Sequence, residues 1–421
     1  MRIIIISKYA WDDRLASGNT LSNFFLGWPD TVFFTIYCRD SIPQNQCCVN
    51  YFSVSPINIV KNIITPSRIG KPFTLSGNSI NDDVASTEDA LKNASKRYKF
   101  AFELVHDMLY ASKIWLNARL KKYISDVNPD IVFCFGVPDA FTYQMVKYVK
   151  GHLRCPIVAY YVDDHYNNKA SHWNVLHKLG RKRLRDIASM ADKRYAISKM
   201  MCVDYAKDMH LVFDLLFKGC DVKDIVPKSR NYIQIIYAGN LLYNRDDTLS
   251  KVVTSLLALN RELDRKAHLD IYTTTPISKE MSVKLNQEDT SSVHGAKPYK
   301  EIVQIMREAD IVLHVESFDT QQTEIVRYSF STKITDCLQS GAMTLAIGPQ
   351  ELASIDFISK VPGAIAVTDM NNLNNALSEL LHNPELITRN ALASNDYAKM
   401  NMSIDRVRHR LQNDFFSLIN H

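Results

Sequence analysis

The residues best suited to chemistry lie between Tyr328 and Gly341, which read Tyr-Ser-Phe-Ser-Thr-Lys-Ile-Thr-Asp-Cys-Leu-Gln-Ser-Gly. Ser331 or Thr332 can cap a helix, and the N–H groups of that first turn attract a phosphate. Lys333 adds a formal positive charge. Asp336, one turn on, offers a carboxylate that can accept hydrogen bonds from ribose hydroxyls. Gly341 fits the left-handed position that ends a helix. A cap, a cation and a carboxylate this close together fit a nucleoside diphosphate. The plainer alternative is an ordinary capped helix with an exposed Lys and Asp.

Three other segments carry reactive or anion-binding residue types. In Gly239-Asn240-Leu241-Leu242-Tyr243-Asn244-Arg245, the glycine permits a tight turn and Arg245 can fork onto phosphate oxygens. Otherwise Arg245 is a surface residue near Asp246 and Asp247. Asp163-Asp164-His165 closes an apolar run, where adjacent carboxylates shift each other's pKa. It is either a site or a turn that caps the next helix. Ser17-Gly18-Asn19-Thr20 is a small-residue turn that opens a helix, which suits an anion or a plain N-cap. No G-x-G-x-x-G or Walker A sequence occurs, so a nicotinamide dinucleotide is not indicated. No D-x-D occurs, so carboxylate-held Mg²⁺ is not implied. The eight cysteines include no C-x-x-C, which argues against zinc or a disulfide framework and for a reducing compartment. Cys134 and Cys155 read as buried strand residues.

The elements that would position these residues alternate. Arg2–Ser7 is an apolar strand of the kind covered on both faces. It is followed by a polar loop, a helix from Thr20 and a strand Thr31–Tyr37, the opening of a doubly wound α/β domain. Residues 53–93 read as an irregular polar excursion. Ser95–Ile124 reads as one long helix with Tyr98, Phe102, Val105, Leu109, Leu116 and Leu120 on a stripe. Strands follow at Ile131–Phe135, Pro156–Val162 and Arg194–Ile197. A second alternation runs through Tyr232–Tyr237, Leu269–Thr273, Ile311–Val315, Thr344–Ile347 and Ala364–Val367, and Ala376–Leu381 and Pro384–His421 read as helices. Two α/β domains dividing near residue 228 is the simplest organisation, with a cleft between them as the default ligand site.

Across 421 residues the net charge is +5, with hydrophobic residues at 46% and charged residues at 23%, an ordinary globular composition. Residues 61–122 carry eleven basic against six acidic residues, and 176–199 carry eight against two. These are solvated helix faces, or they attract an anionic surface or substrate. No aromatic-interleaved basic motif accompanies them, so nucleic acid is not expected. No apolar run approaches a membrane span, and the run after Met1-Arg2 is too short for a signal peptide. A cytoplasmic protein is the expectation; a peripheral position on the inner face of the plasma membrane is the alternative that the basic segments offer.

An ordered set of segments carries a family resemblance. It comprises the first strand with its Gly18 loop, Ala196-Ile197-Ser198 with the Met200–Tyr205 helix, Tyr237-Ala238-Gly239-Asn240-Leu241, His294-Gly295, Ala309-Asp310-Ile311-Val312, and Ser331-Thr332-Lys333 through Gly341. Together these resemble the GT-B glycosyltransferases of the large retaining family four ("group 1") class, in the variant found in bacterial surface-polysaccharide clusters. The resemblance implies two Rossmann-like doubly wound domains facing across a cleft. Residues 1–228 would bind the acceptor and 229–395 the nucleotide sugar, while 396–421 would cross back to the first domain. It implies a retaining, metal-independent transferase without cofactor, moving a sugar from a nucleotide-sugar donor to a polysaccharide or lipid-linked oligosaccharide acceptor. A nucleotide-sugar epimerase and a catalytically silent scaffold share that architecture.

By the same resemblance Gly18, Asn19, Gly239, Arg245, Glu324, Ser331, Thr332, Lys333 and Asp336 would touch the donor. Asp164, His165, Arg245 and Lys333 would carry catalysis. The family's two glutamates eight positions apart are replaced here by Tyr328 and Asp336, with Glu324 or Glu316 standing in for the first.

Overall fold

A computed structural model describes residues 1–75, 96–167, 175–225, 230–330 and 332–420. The chain forms two compact units, one of Met1–Leu216 with Arg408–His421 and the other of Phe217–Val407. The first boundary falls ahead of the division expected at residue 228.

Unit 1 is built on an eight-stranded sheet. Its strands are β1 (Arg2–Ser7), β2 (Val32–Tyr37), β3 (Asn50–Ser53), β4 (Lys71–Thr74), β5 (Ile131–Phe135), β6 (Ile157–Tyr161), β7 (Lys193–Ala196) and β8 (Asp214–Leu215), in spatial order β4-β3-β2-β1-β5-β6-β7-β8. All pairs are parallel except β3 with β4. The order reverses between β1 and β5, the topological switch point of a doubly wound sheet. Ile3 to Ile6 are fully buried, as a strand covered on both faces requires.

The helices of unit 1 are α1 (Ala16–Phe25), α2 (Pro56–Lys61), α3 (Lys96–Ala111), α4 (Ala118–Val127), α5 (Ala140–His152), α6 (Val175–Met190) and α7 (Lys199–Met209). Two expectations are corrected here. The part of the irregular excursion that is described, residues 53–75, holds α2 and β4. Ser55 caps α2 by accepting from Asn58 N, and Pro56 takes the first helical position. Elements this short leave no periodicity to read. The remainder of the excursion, 76–93, lies outside the described residues.

The single helix expected over Ser95–Ile124 is two. Lys113 turns left-handed (φ 59°), and Asn117 restarts the chain by capping α4 at Leu120 N. Between them Trp115 is buried against Tyr110 and Phe141. α3 buries His106 and Tyr110; of the expected stripe Val105 is exposed, Leu109 and Leu116 are half-buried and Leu120 is buried, while the side chains of Tyr98 and Phe102 lie outside the described residues. Cys134 is a buried residue of β5, whereas Cys155 is half-buried in the turn before β6.

Unit 2 is a six-stranded parallel sheet of β9 (Ile233–Ala238), β10 (Ala267–Tyr272), β11 (Ser291–His294), β12 (Ile311–Val315), β13 (Met343–Ile347) and β14 (Ile365–Val367), in order β11-β10-β9-β12-β13-β14. Its switch point lies between β9 and β12. Its helices are α8 (Arg245–Leu259), α9 (Lys279–Leu285), α10 (Tyr299–Glu308), α11 (Thr320–Val326), α12 (Thr332–Gln339), α13 (Ala353–Ile358), α14 (Leu373–His382) and α15 (Pro384–Met402). The buried aliphatic residues of β9, β10, β12 and β13 pack with Leu249, Val252, Val253 and Leu256 of α8 into one core.

The helix expected from Pro384 to the end is interrupted at Ser403. This residue is extended (φ −58°, ψ 145°) and pairs with Cys220, whose N–H and carbonyl bond Met402 and Ile404. The chain resumes as α16 (Ile404–Ile419). From Arg408 onward this helix belongs to unit 1, where Arg408 Nε donates to Asn23 O at 2.7 Å and Phe415 packs on Phe25 and Trp28.

Candidate active site

The carboxyl ends of parallel strands leave backbone groups and side chains open at the switch point, which is where doubly wound sheets bind ligands. In unit 2 that place holds Arg245, Glu316 and Lys333. Glu316 follows β12 directly and is 4% exposed, and Arg245 is the first residue of α8 and 7% exposed. The guanidinium grips the carboxylate in a fork, with Nε to Oε2 at 3.0 Å and Nη2 to Oε1 and Oε2 at 3.0 and 2.8 Å. Its Nη1 donates to Asn240 Oδ1 at 2.5 Å. Burial lifts the Glu316 carboxyl above its ordinary range, and the charge of Arg245 opposes that lift.

Lys333, in the first turn of α12, places its ammonium 5.4 Å from the centre of the Tyr237 ring. Burial, reinforced by Arg245 and opposed by Glu316, lowers its pKa to about 8. The ammonium is still charged at neutral pH. It also lies against Gly239. That glycine has no left-handed φ, contrary to the tight-turn expectation, and a Cβ there would run into Lys333 Nζ. The left-handed residues of the loop are Tyr243 (φ 62°) and Asn244 (φ 57°), directly before Arg245. Backbone strain of this kind gathers where a loop must aim a functional side chain. His314 of β12 lies beneath, with Nε2 3.6 Å from Glu316 Oε1. Burial, with help from Lys333 and Arg245, lowers its pKa to about 3 and keeps it neutral.

Asp336 sits one turn along α12, half-buried. It accepts from Tyr299 Oη at 2.8 Å and from Gln339 Nε2 at 3.1 Å. Burial raises its carboxyl above the usual range, against the pull of Lys218, Tyr299 and Lys333. Gly341 is left-handed (φ 73°), as expected for the end of this helix.

Beside the switch point, over β10 and β11, lies a pocket of about 380 Å³ lined by Thr273, Thr274, Thr275, Ile277, His294 and Gly295, among others. Its wall is ordered. Tyr272 stacks on the His294 ring at 4.6 Å, and His294 Nε2 lies 2.8 Å from Asp270 Oδ1. Thr275 Oγ1 accepts from Leu241 N at 2.9 Å, which ties the pocket to the loop that carries Arg245.

The chain superposes over its whole length on solved structures. Anabaena HepE in complex with UDP matches with a TM-score of 0.63 and 11% identity, covering 99% of this chain and 100% of that one. Sucrose-phosphate synthase from Thermosynechococcus elongatus matches at 0.62 and 10%, covering 100% and 99%. The UDP-forming α,α-trehalose-phosphate synthase from Burkholderia xenovorans, in complex with glucose-6-phosphate, matches at 0.60 and 10%, covering 99% and 100%. The fold is GT-B. No protein-family model matches the sequence, and no curated protein does.

In this GT-B chain the other expected residues are placed differently. Glu324 is exposed on α11, and the carboxylate gathered with Arg245 is that of Glu316. Ser331 lies outside the described residues, and Thr332 begins α12. In unit 1, Gly18 and Asn19 lie inside α1, which starts at Ala16. Gly18 is buried, and a Cβ there would strike the Asp12 backbone, so close helix-to-loop packing accounts for the glycine. Asp164 spends Oδ1 on Tyr166 N, Asn167 N and Tyr205 Oη at 3.2, 2.9 and 2.8 Å, which is a turn-holding role. His165 is half-buried in that turn, its N–H bonded to Asp163 O.

Sequence reasoning gave no role to Tyr237, Tyr299 or His314 and named Glu316 only as a stand-in. The signal for Glu316 was its place, an acid directly after a strand that is apolar except for His314. Among the described residues no group of three or more His, Cys, Asp or Glu is arranged to hold a metal ion, and no helix is long and apolar enough to cross a membrane.

Proposed function

We propose that this chain is a retaining glycosyltransferase that moves a sugar from a nucleotide-sugar donor to a polysaccharide or lipid-linked oligosaccharide acceptor. The observation that carries the reading is the convergence of Lys333, Arg245 and Glu316 at the switch point of unit 2, beside the pocket over β10 and β11. The solved neighbours lend support, since HepE is in complex with UDP and the trehalose-phosphate synthase is UDP-forming.

In this reading the nucleoside takes the pocket and Asp336, steadied by Tyr299, receives the ribose hydroxyls. Lys333 meets the diphosphate. Arg245 turns one N–H from Asn240 or Glu316 to a phosphate oxygen, while the remaining contacts keep it aimed. As the bond from the anomeric carbon to the diphosphate breaks, charge grows on the leaving oxygen and these fixed cations stabilise it. Removing one such contact typically costs ~10²–10³ in rate. The acceptor hydroxyl attacks from the side the diphosphate leaves, and a leaving-group oxygen takes its proton. No protein base is required, and the reaction is metal-independent.

A nucleotide-sugar panel scored by thermal shift tests the reading. One member should raise the melting temperature, and NMR should show that donor unchanged when incubated alone. Conversion of the donor without acceptor would make the chain an epimerase. No shift with any member would leave a silent scaffold.

A further inference from the structure

No acidic residue occurs between Asp40 and Asp82. Within that stretch α2 turns Ile59 into the core while Ile57 and Val60 face outward, and Ile63 and Ile64 follow in the turn beyond. Val60 is 62% exposed and Ile64 91%. Lys61, Arg68 and Lys71 are exposed among them.

The arrangement is held rigidly. Tyr110 Oη donates to Val54 O at 2.6 Å just ahead of α2. Asn117 Nδ2 bonds Pro66 O and Ile69 O, and Arg119 Nη1 bonds Gly70 O. α3 packs beside α2 and adds exposed Val105 and Met108, with exposed Lys113 just past its end. Next in the same layer come α5 with exposed Lys147, then α6 with exposed Lys178, Lys182 and Arg185. The acids of α3 and α6 are largely engaged. Asp107 pairs with Arg183, and Asp186 accepts from Tyr143, while Glu103 is exposed.

Single exposed aliphatic residues are ordinary, but here four, Ile57, Val60, Ile63 and Ile64, stand within eight positions. Here the aliphatic residues project from a short helix and its turn, and the exposed Lys61, Arg68 and Lys71 belong to the same segment. That combination inserts shallowly among acyl chains while the ammonium and guanidinium groups meet lipid phosphates. We propose that this face of unit 1 docks on a bilayer containing anionic lipids. The inference stands apart from the nucleotide-sugar reading, since vesicle binding is measured without donor or acceptor. If both hold, the acceptor is one presented at a membrane surface.

Co-sedimentation of the full chain with vesicles tests it. Phosphatidylcholine vesicles with phosphatidylglycerol should bind the protein at about 50 mM salt and release most of it at about 500 mM, and phosphatidylcholine alone should bind at least about tenfold less. Val60→Asp with Ile64→Asp should lower binding by about tenfold or more with melting unchanged, because both side chains already face solvent. Lys61→Glu with Arg68→Glu should remove the preference for phosphatidylglycerol. Absence of binding at low salt, or wild-type binding by the aspartate pair, overturns the proposal. So does a wild-type dimer that the aspartate pair splits while no vesicle binding is seen, which would assign the face to a second copy of the chain.

Discussion

Each unit contains a buried arginine forked onto a carboxylate, and the two pairs serve different ends. In unit 1, Arg183 binds Asp107 at 2.5 and 2.9 Å and also Pro138 O, while Asp107 Oδ1 accepts Ala140 N. The pair joins α6 to α3 and to the start of α5, so its hydrogen-bonding capacity goes to helix packing. In unit 2, Arg245 and Glu316 sit at strand ends on the switch point, with Lys333 and a neutral His314 around them. Identical chemistry becomes a tie-rod or an anion site according to what else is gathered there. Two cations against one carboxylate favour an incoming anion, whereas one against one does not.

The contrast can be broken by mutation. Asp107→Ala leaves Arg183 buried without its carboxylate and should cost about 3–5 kcal/mol in urea unfolding, while nucleotide binding by the folded protein is unchanged. Lys333→Ala should lower kcat by ~10²–10³ with the unfolding midpoint preserved, and near-wild-type turnover would remove Lys333 from the site. Glu316→Gln and Asp107→Asn sharpen the comparison. Each weakens a charged hydrogen-bonded pair by about 1.5–3 kcal/mol, but only Glu316→Gln should raise the donor KM. Tyr299→Phe removes one hydrogen bond to Asp336 and should raise the donor KM about two- to tenfold, in line with ~0.5–1.5 kcal/mol.

The alternation of strands and helices was legible because β5 is an unbroken apolar run, β1 carries four consecutive isoleucines, β12 is broken only by His314, and the turns between them are polar. Lys333 could be placed from the sequence in the first turn of a helix with Asp336 one turn on, and Arg245 in the loop between a strand and a helix. The sequence misled where a single residue overrides a pattern. Lys113 and Asn117 divide what reads as one amphipathic helix, and Ser403 divides another. β11 was missed because Ser291–His294 is short and polar. The partner of Arg245 could not be read, since Asp246 and Asp247 are nearer in sequence and only the adjacency of β9 and β12 delivers Glu316. Gly239 was expected to permit a tight turn and Gly18 to lie by the donor, whereas a Cβ at Gly18 would meet the Asp12 backbone and one at Gly239 the end of the Lys333 side chain.

Calorimetric titration of UDP, GDP and ADP into the wild-type protein and Lys333→Ala, from pH 7 to pH 9, tests the central claim most directly. Lys333 carries its proton below about 8 and loses it above. Wild-type affinity for the preferred nucleotide should therefore hold near pH 7 and fall about tenfold per unit beyond that value, and the alanine variant should bind weakly with no such fall. Equal affinity in both proteins with the same pH profile would contradict the account.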